Sequence, residues 1–180
     1  MQGNKSKINW KIPLYGAAGF GIGFALFLAA AFELKLMGIY NLAIGAVLIA
    51  LFSGIGGAAI GIALEDKKKI FYLSVACAAG FALGLVIGLS AVYLTKIADI
   101  MGSFIMGAFG GAAIGIALKE KKKILYLSLA GAVGFCIGFS ITDLLLYPVT
   151  DLVGNIIAGA GIGAVGGWVL GLAIDCNAND

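Results

Sequence analysis

The chain contains few of the side chains that enzymes use for chemistry. No histidine and no arginine occur among its 180 residues. Bis-histidine haem ligation, imidazole zinc sites and Ser-His-Asp triads are therefore excluded for this chain. Cys77, Cys136 and Cys176 have neither a CxxC spacing nor any other metal spacing, and we interpret them as reduced thiols. We expect no catalytic residues, no cofactor, no metal site and no enzymatic activity.

Four acidic residues are the remaining candidates for a polar site. They lie at or near the ends of apolar runs, all on one side of the predicted topology: Glu33, Asp99, Asp143 and Asp151. One interpretation is that they cap or flank helices in water or among lipid headgroups. The alternative is an acidic outer rim that gathers cations at the mouth of a pore. Because Lys35 and Lys96 lie on the same side, this rim has a net charge of about −2 and attracts cations only weakly.

The composition assigns the chain to the lipid bilayer. Hydrophobic residues make up 62% of the sequence and charged residues 12%, whereas a soluble domain is about 45–50% apolar. Six apolar runs are each long enough for a helix that crosses the hydrocarbon core. They cover residues 12–32, 36–64, 70–95, 97–118, 124–149 and 152–174. The predicted fold class is an all-α integral membrane protein with six transmembrane helices.

The lysines predict the orientation of these helices. Two of the lysines share the side of the acidic residues. The others lie on the opposite side: Lys5, Lys7, Lys11, Lys67, Lys68, Lys69, Lys119, Lys121, Lys122 and Lys123. Because lysine-rich short loops face the cytoplasm, we expect both termini to be cytoplasmic, in the cell membrane or inner membrane. The lysines are expected to contact membrane lipid, and no nucleic-acid partner is expected because no basic domain exists.

An internal repeat organises the chain as a single membrane domain, residues 1–180. The nonamer GGAAIGIAL occurs at 56–64 and 110–118, and a weaker copy, GGWVLGLAI, occurs at 166–174. Each copy ends a pair of apolar runs, and the first run of each pair contains a Gly-Phe dipeptide: Gly19-Phe20, Gly80-Phe81 and Gly134-Phe135. We predict three tandem helical hairpins, at about 11–66, 67–120 and 121–174, in a pseudo-threefold bundle with a short cytoplasmic tail, 175–180.

Glycines recur at four-residue spacing in all three pairs. This spacing places small residues on one helix face, where GxxxG-type or glycine-zipper contacts let two backbones approach closely in lipid. The predicted helix-packing glycines are Gly19, Gly23, Gly57, Gly61, Gly80, Gly84, Gly111, Gly115, Gly134, Gly138, Gly163, Gly167 and Gly171. They predict a tightly packed bundle and do not by themselves indicate an activity.

Two functions remain open at this stage. Repeat architecture without a soluble domain favours a passive channel or facilitator for a small solute or ion. The alternative is a non-transporting scaffold, anchor or assembly subunit of a larger membrane complex, because a solid glycine-packed bundle leaves little room for a cavity. The expected partners are membrane lipid and either copies of the same chain in a homo-oligomer or other membrane subunits.

Overall fold

A computed structural model describes residues 9–95, 99–119, 121–146 and 151–176; the side chains at 92–95, 99 and 146 are outside that description. These residues form six α-helices: α1 (Lys11–Leu36), α2 (Leu42–Ala63), α3 (Lys67–Thr95), α4 (Asp99–Ala117), α5 (Lys121–Leu146) and α6 (Leu152–Cys176). All six are long and apolar enough to cross a membrane. The prediction of an all-helical protein with six helices able to span a membrane is therefore confirmed.

The boundary between the first two helices differs from the apolar pattern. The second run was predicted to begin at residue 36, but α1 continues through Leu36 and α2 begins only at Leu42. Gly38 ends α1 with a φ of +71°, a conformation that glycine adopts without strain. Asn41 then begins α2, because its Oδ1 accepts a hydrogen bond from the Ile44 N–H at 3.0 Å. Apolarity alone does not mark this turn, since the connecting residues 36–40 are themselves largely apolar.

Two short turns join α2 to α3 and α4 to α5. Each contains a non-glycine residue in the left-handed region, with φ of 56° at Glu65 and 59° at Lys119. The first turn is followed by Asp66, whose Oδ1 accepts a hydrogen bond from the Lys68 N–H at 2.9 Å and so caps α3. These turns hold consecutive helices antiparallel and close together.

The six helices form a closed ring. Each helix packs against the helices before and after it in the chain, and α6 packs against α1. We call the end of the bundle where α1, α3 and α5 begin the lysine end, and it contains Lys11, Lys67 and Lys121. The opposite end is called the acidic end, and it contains Glu33 and Asp151.

Candidate functional site

Three phenylalanines meet in the interior of the ring. Phe20, Phe81 and Phe135 are fully buried, and they come from α1, α3 and α5, which alternate around the ring. Their ring centroids are 5.3 Å apart for Phe20 and Phe81, 5.8 Å for Phe20 and Phe135, and 4.9 Å for Phe81 and Phe135. Phe24, one turn closer to the acidic end, adds a fourth ring 5.0 Å from that of Phe135. Tilted and edge-to-face pairs at these distances stabilise the interior beyond their area of contact.

Glycines of the nonamer make room for these rings. A Cβ at Gly166 would lie 2.7 Å from three ring carbons of Phe135. Gly56 meets the ring of Phe20, and Gly110 meets the ring of Phe81, in the same way. The sequence prediction omitted Gly56, Gly110 and Gly166, although the paired glycines of the repeated nonamer were the available signal.

The predicted helix-packing glycines all face a neighbouring helix. At every one of them a Cβ would come within 3.0 Å of an atom of that helix. The second glycine of each nonamer meets backbone of the next helix around the ring, so Gly57 faces Leu73 and Gly111 faces Leu127. Gly167 faces Gly16 and thereby joins α6 to α1. No side chain could be added at these points without separating the two helices.

The interior between the phenylalanines and the lysine end is filled by aliphatic side chains. They are almost completely buried: Ile12, Ile60, Leu73, Ile114, Leu127 and Leu170. Each helix of the ring contributes one of these side chains. The five on α2 to α6 are at most 1% exposed, and Ile12 on α1 is 4% exposed. This half of the bundle therefore has a solid apolar interior along the described residues.

Serine hydroxyls join helices across this packing. Ser74 donates to the Gly54 carbonyl at 2.9 Å, and Ser128, at the matching position of the next repeat, donates to the Ala108 carbonyl at 3.0 Å. Serine hydroxyls this close to a helix start commonly bond the backbone of their own helix. In the structure, the Ser74 hydroxyl instead bonds α3 to α2, and the Ser128 hydroxyl bonds α5 to α4. The glycine contacts bring the backbones close enough for a short serine side chain to reach across.

A cavity of about 270 Å³ lies on the acidic-end side of the phenylalanines. Its described lining residues come from α1, α3, α4, α5 and α6. They are Phe24, Phe27, Leu28, Leu85, Leu89, Gly102, Ser103, Met106, Phe139 and Ile162. Among the described lining residues, Ser103 is the single one with a polar side chain, and none is ionisable. The cavity therefore suits an uncharged apolar molecule better than an ion.

Three members of the predicted acidic rim have described side chains, and they lie at one end of the bundle. Glu33 and Asp143 are exposed near the ends of α1 and α5. Asp151 caps α6, since its Oδ1 accepts a hydrogen bond from the Gly154 N–H at 2.6 Å. The side chain of Asp99 lies outside the described residues. Asp151 therefore acts as a helix cap, and the acidic rim stays a prediction.

Contacts at the lysine end join the first helix to the last. The indole rings of Trp10 and Trp168 have centroids 5.8 Å apart. Asp175 is 4% exposed, and its Oδ2 accepts a hydrogen bond from the Asn9 N–H at 2.9 Å. The sequence assigned Asp175 to a short tail, but α6 continues to Cys176 and buries it. Only closure of the ring reveals this role, because Asn9 and Asp175 are 166 positions apart.

No protein-family model, curated protein or solved structure matches this chain.

Proposed function

We propose that the bundle consists of three tandem hairpins, α1–α2, α3–α4 and α5–α6, related by a pseudo-threefold axis. Matching positions of the sequence repeat support this arrangement, because Phe20, Phe81 and Phe135 contact one another. Each of these rings also contacts the first nonamer glycine of its own hairpin. The lysine bias further supports an orientation with the lysine end and both termini in the cytoplasm.

The function that this geometry supports best is that of a non-transporting membrane subunit, which anchors or assembles a larger membrane complex. The observation that carries the proposal is the filled axis, in which Phe20, Phe81 and Phe135 are 0% exposed. Ile60, Ile114 and Leu170, at matching positions one turn after the nonamer glycines, are 0% exposed as well. Ions and polar solutes need water or polar groups along their path, and these two layers offer neither.

Two measurements on the intact protein test this function. We expect liposomes containing the purified protein to pass potassium, chloride and glycerol no faster than protein-free liposomes. We also expect native mass spectrometry after gentle solubilisation to recover other membrane subunits in a fixed ratio to this chain. Solute flux above the protein-free control, or recovery of this chain without any other subunit, contradicts the proposal.

A second candidate function is a passive channel or facilitator for a small solute or ion, and the cavity supports it for an uncharged solute. In this function the cavity is an entrance from the acidic end, and the phenylalanines form an apolar constriction that controls passage. Phe81→Leu shortens a constriction side chain, whereas Phe71→Leu alters an exposed ring on the same helix and serves as the matched control.

A facilitator predicts measurable flux through the unmodified protein, higher flux through Phe81→Leu and unchanged flux through Phe71→Leu. If an acidic rim attracts cations, replacing Glu33 and Asp143 by glutamine and asparagine lowers the preference for cations over anions. Equal flux through all of these proteins and through protein-free liposomes removes this second candidate.

A further inference from the structure

We propose that the 270 Å³ cavity is a binding site for the acyl chain of a membrane lipid from the leaflet at the acidic end. This inference does not depend on whether the protein transports a solute or assembles with other subunits. It concerns the cavity lined by Phe24, Leu85 and Met106. Neither the filled axis nor the acidic rim accounts for an apolar cavity at this depth.

The lining excludes most other occupants. A water molecule in a protein interior needs two to four polar partners. Of the lining residues that the structure describes, Ser103 alone has a polar side chain. The described part of the lining contains no lysine or carboxylate. A charged ligand would lose its hydration there without gaining an ionic partner. An unfilled cavity would leave Phe24, Phe27 and Phe139 without dispersion contacts on one side. An apolar chain needs no polar partner and no ionic partner, and it supplies the missing dispersion contacts to the phenylalanine rings.

The depth of the cavity matches that of a lipid tail. Phe24, at its floor, is near the middle of the 26-residue helix α1. Ser103 and Met106 are four and seven residues after Asp99, the first residue of α4. At a rise of about 1.5 Å per residue, they lie roughly 6–10 Å below that end. The cavity thus extends from mid-membrane toward the acidic end, which is the depth occupied by acyl chains of the adjoining leaflet.

Acyl chains are also the apolar molecules that surround this protein at highest concentration. The outer surfaces of the helices expose large hydrophobic residues, including Leu26 on α1 and Leu83 on α3, which are 43% and 57% exposed. The proposal requires a lipid on this surface to insert the end of one acyl chain between two helices. No separate apolar ligand is required to fill the site.

Photochemical labelling tests the proposal on the whole protein in liposomes. The probe is phosphatidylcholine with a diazirine near the end of one acyl chain, and the labelled positions are mapped by mass spectrometry of peptides. We expect adducts on cavity residues such as Phe24 and Met106, in addition to adducts on the lipid-facing surface. Labelling confined to lipid-facing residues such as Leu83 overturns the proposal.

A pair of substitutions on one helix provides the matched comparison. Leu85→Phe adds a ring to the cavity wall, whereas Leu83→Phe adds the same ring to the exposed surface. We expect Leu85→Phe to lower cavity labelling several-fold and Leu83→Phe to leave it unchanged. Equal cavity labelling in both variants overturns the proposal, provided that circular dichroism shows both to be as helical as the unmodified protein.

A further arm distinguishes lipid from a free apolar molecule. A photoreactive analogue of octanol replaces the lipid probe in the same liposomes. If the octanol analogue labels the cavity residues and the lipid probe does not, the occupant is a free molecule and the lipid proposal is wrong. If the lipid probe labels them and excess octanol does not compete, the proposal stands.

Discussion

Gly57→Ala is expected to destabilise the bundle, although alanine favours a helix more than glycine does. Gly57 faces the backbone of α3. A Cβ added there would collide with the Leu73 carbonyl oxygen. It would also lie 2.6 Å from the Leu73 carbonyl carbon and 2.8 Å from Cys77 Sγ. Ordinary carbon–carbon contacts are about 3.5–4.0 Å. Because a backbone carbonyl cannot rotate away as a side chain can, α2 and α3 must move apart by roughly 1 Å.

The magnitude follows from three contributions. Forcing an extra carbon into a packed seam costs about 1–3 kcal/mol. Separation also weakens the hydrogen bonds from Ser53 to the Cys77 carbonyl at 3.2 Å and from Ser74 to the Gly54 carbonyl at 2.9 Å. Such bonds between membrane helices contribute about 0.6 kcal/mol each. After subtracting about 1 kcal/mol for the helix propensity of alanine, we expect a net loss of about 1–3 kcal/mol in the free energy of unfolding.

The matched control is Gly21→Ala, another buried helical glycine. Its Cβ would lie 3.4 Å from the Ala160 carbonyl oxygen and 3.6 Å from the Ala164 Cβ, which are ordinary contacts. We therefore expect Gly21→Ala to be neutral or to stabilise by up to about 1 kcal/mol. Any general effect of replacing glycine by alanine is thus separated from the effect of the close backbone contact.

Unfolding can be followed in mixed micelles by titration with sodium dodecyl sulfate. The two tryptophans of the chain, Trp10 and Trp168, contact each other where α6 meets α1, so their fluorescence reports closure of the ring. Alkylation of the fully buried Cys77, with Cys136 and Cys176 replaced by serine, gives an independent readout. If Gly57→Ala resists detergent as well as Gly21→Ala by both measures, the argument from backbone contact is refuted.

Three further predictions use the same unfolding assay. Ser74→Ala and Ser128→Ala should each lower the free energy of unfolding by about 0.6 kcal/mol through loss of an interhelical hydrogen bond. Because the two bonds join different helix pairs, the losses should add in the double variant, which is the check. Lys119→Gly should stabilise by roughly 1 kcal/mol, because glycine relieves the left-handed backbone at φ 59°; an unchanged midpoint would contradict this. Lys11→Ala should change stability by less than about 1 kcal/mol, since the 3.0 Å ion pair with Glu65 joins side chains that are 64% and 75% exposed, and a larger loss would show that Lys11 has another role.

The sequence by itself determined the class of the protein and the number of its helices. Each apolar run, as a helix, is long enough to cross the hydrocarbon core, and in lipid a helix satisfies its own backbone hydrogen bonds. Composition and length are therefore sufficient to predict spanning helices. The four-residue spacing of the glycines likewise predicts which helix faces are small. The turn between α1 and α2 was misplaced because residues 36–40 are largely apolar, while Gly38 and Asn41 end and begin the helices by backbone conformation and hydrogen bonding.

Only the tertiary structure decided which residues meet inside the ring. Phe20, Phe81 and Phe135 lie far apart in the sequence and contact one another because α1, α3 and α5 all turn one face inward. The cavity beside Phe24 is equally a property of five helices together, since no local pattern specifies the volume left between them. Periodicity identifies a face of one helix, whereas packing depends on the side chains that all neighbouring helices bring to the same depth.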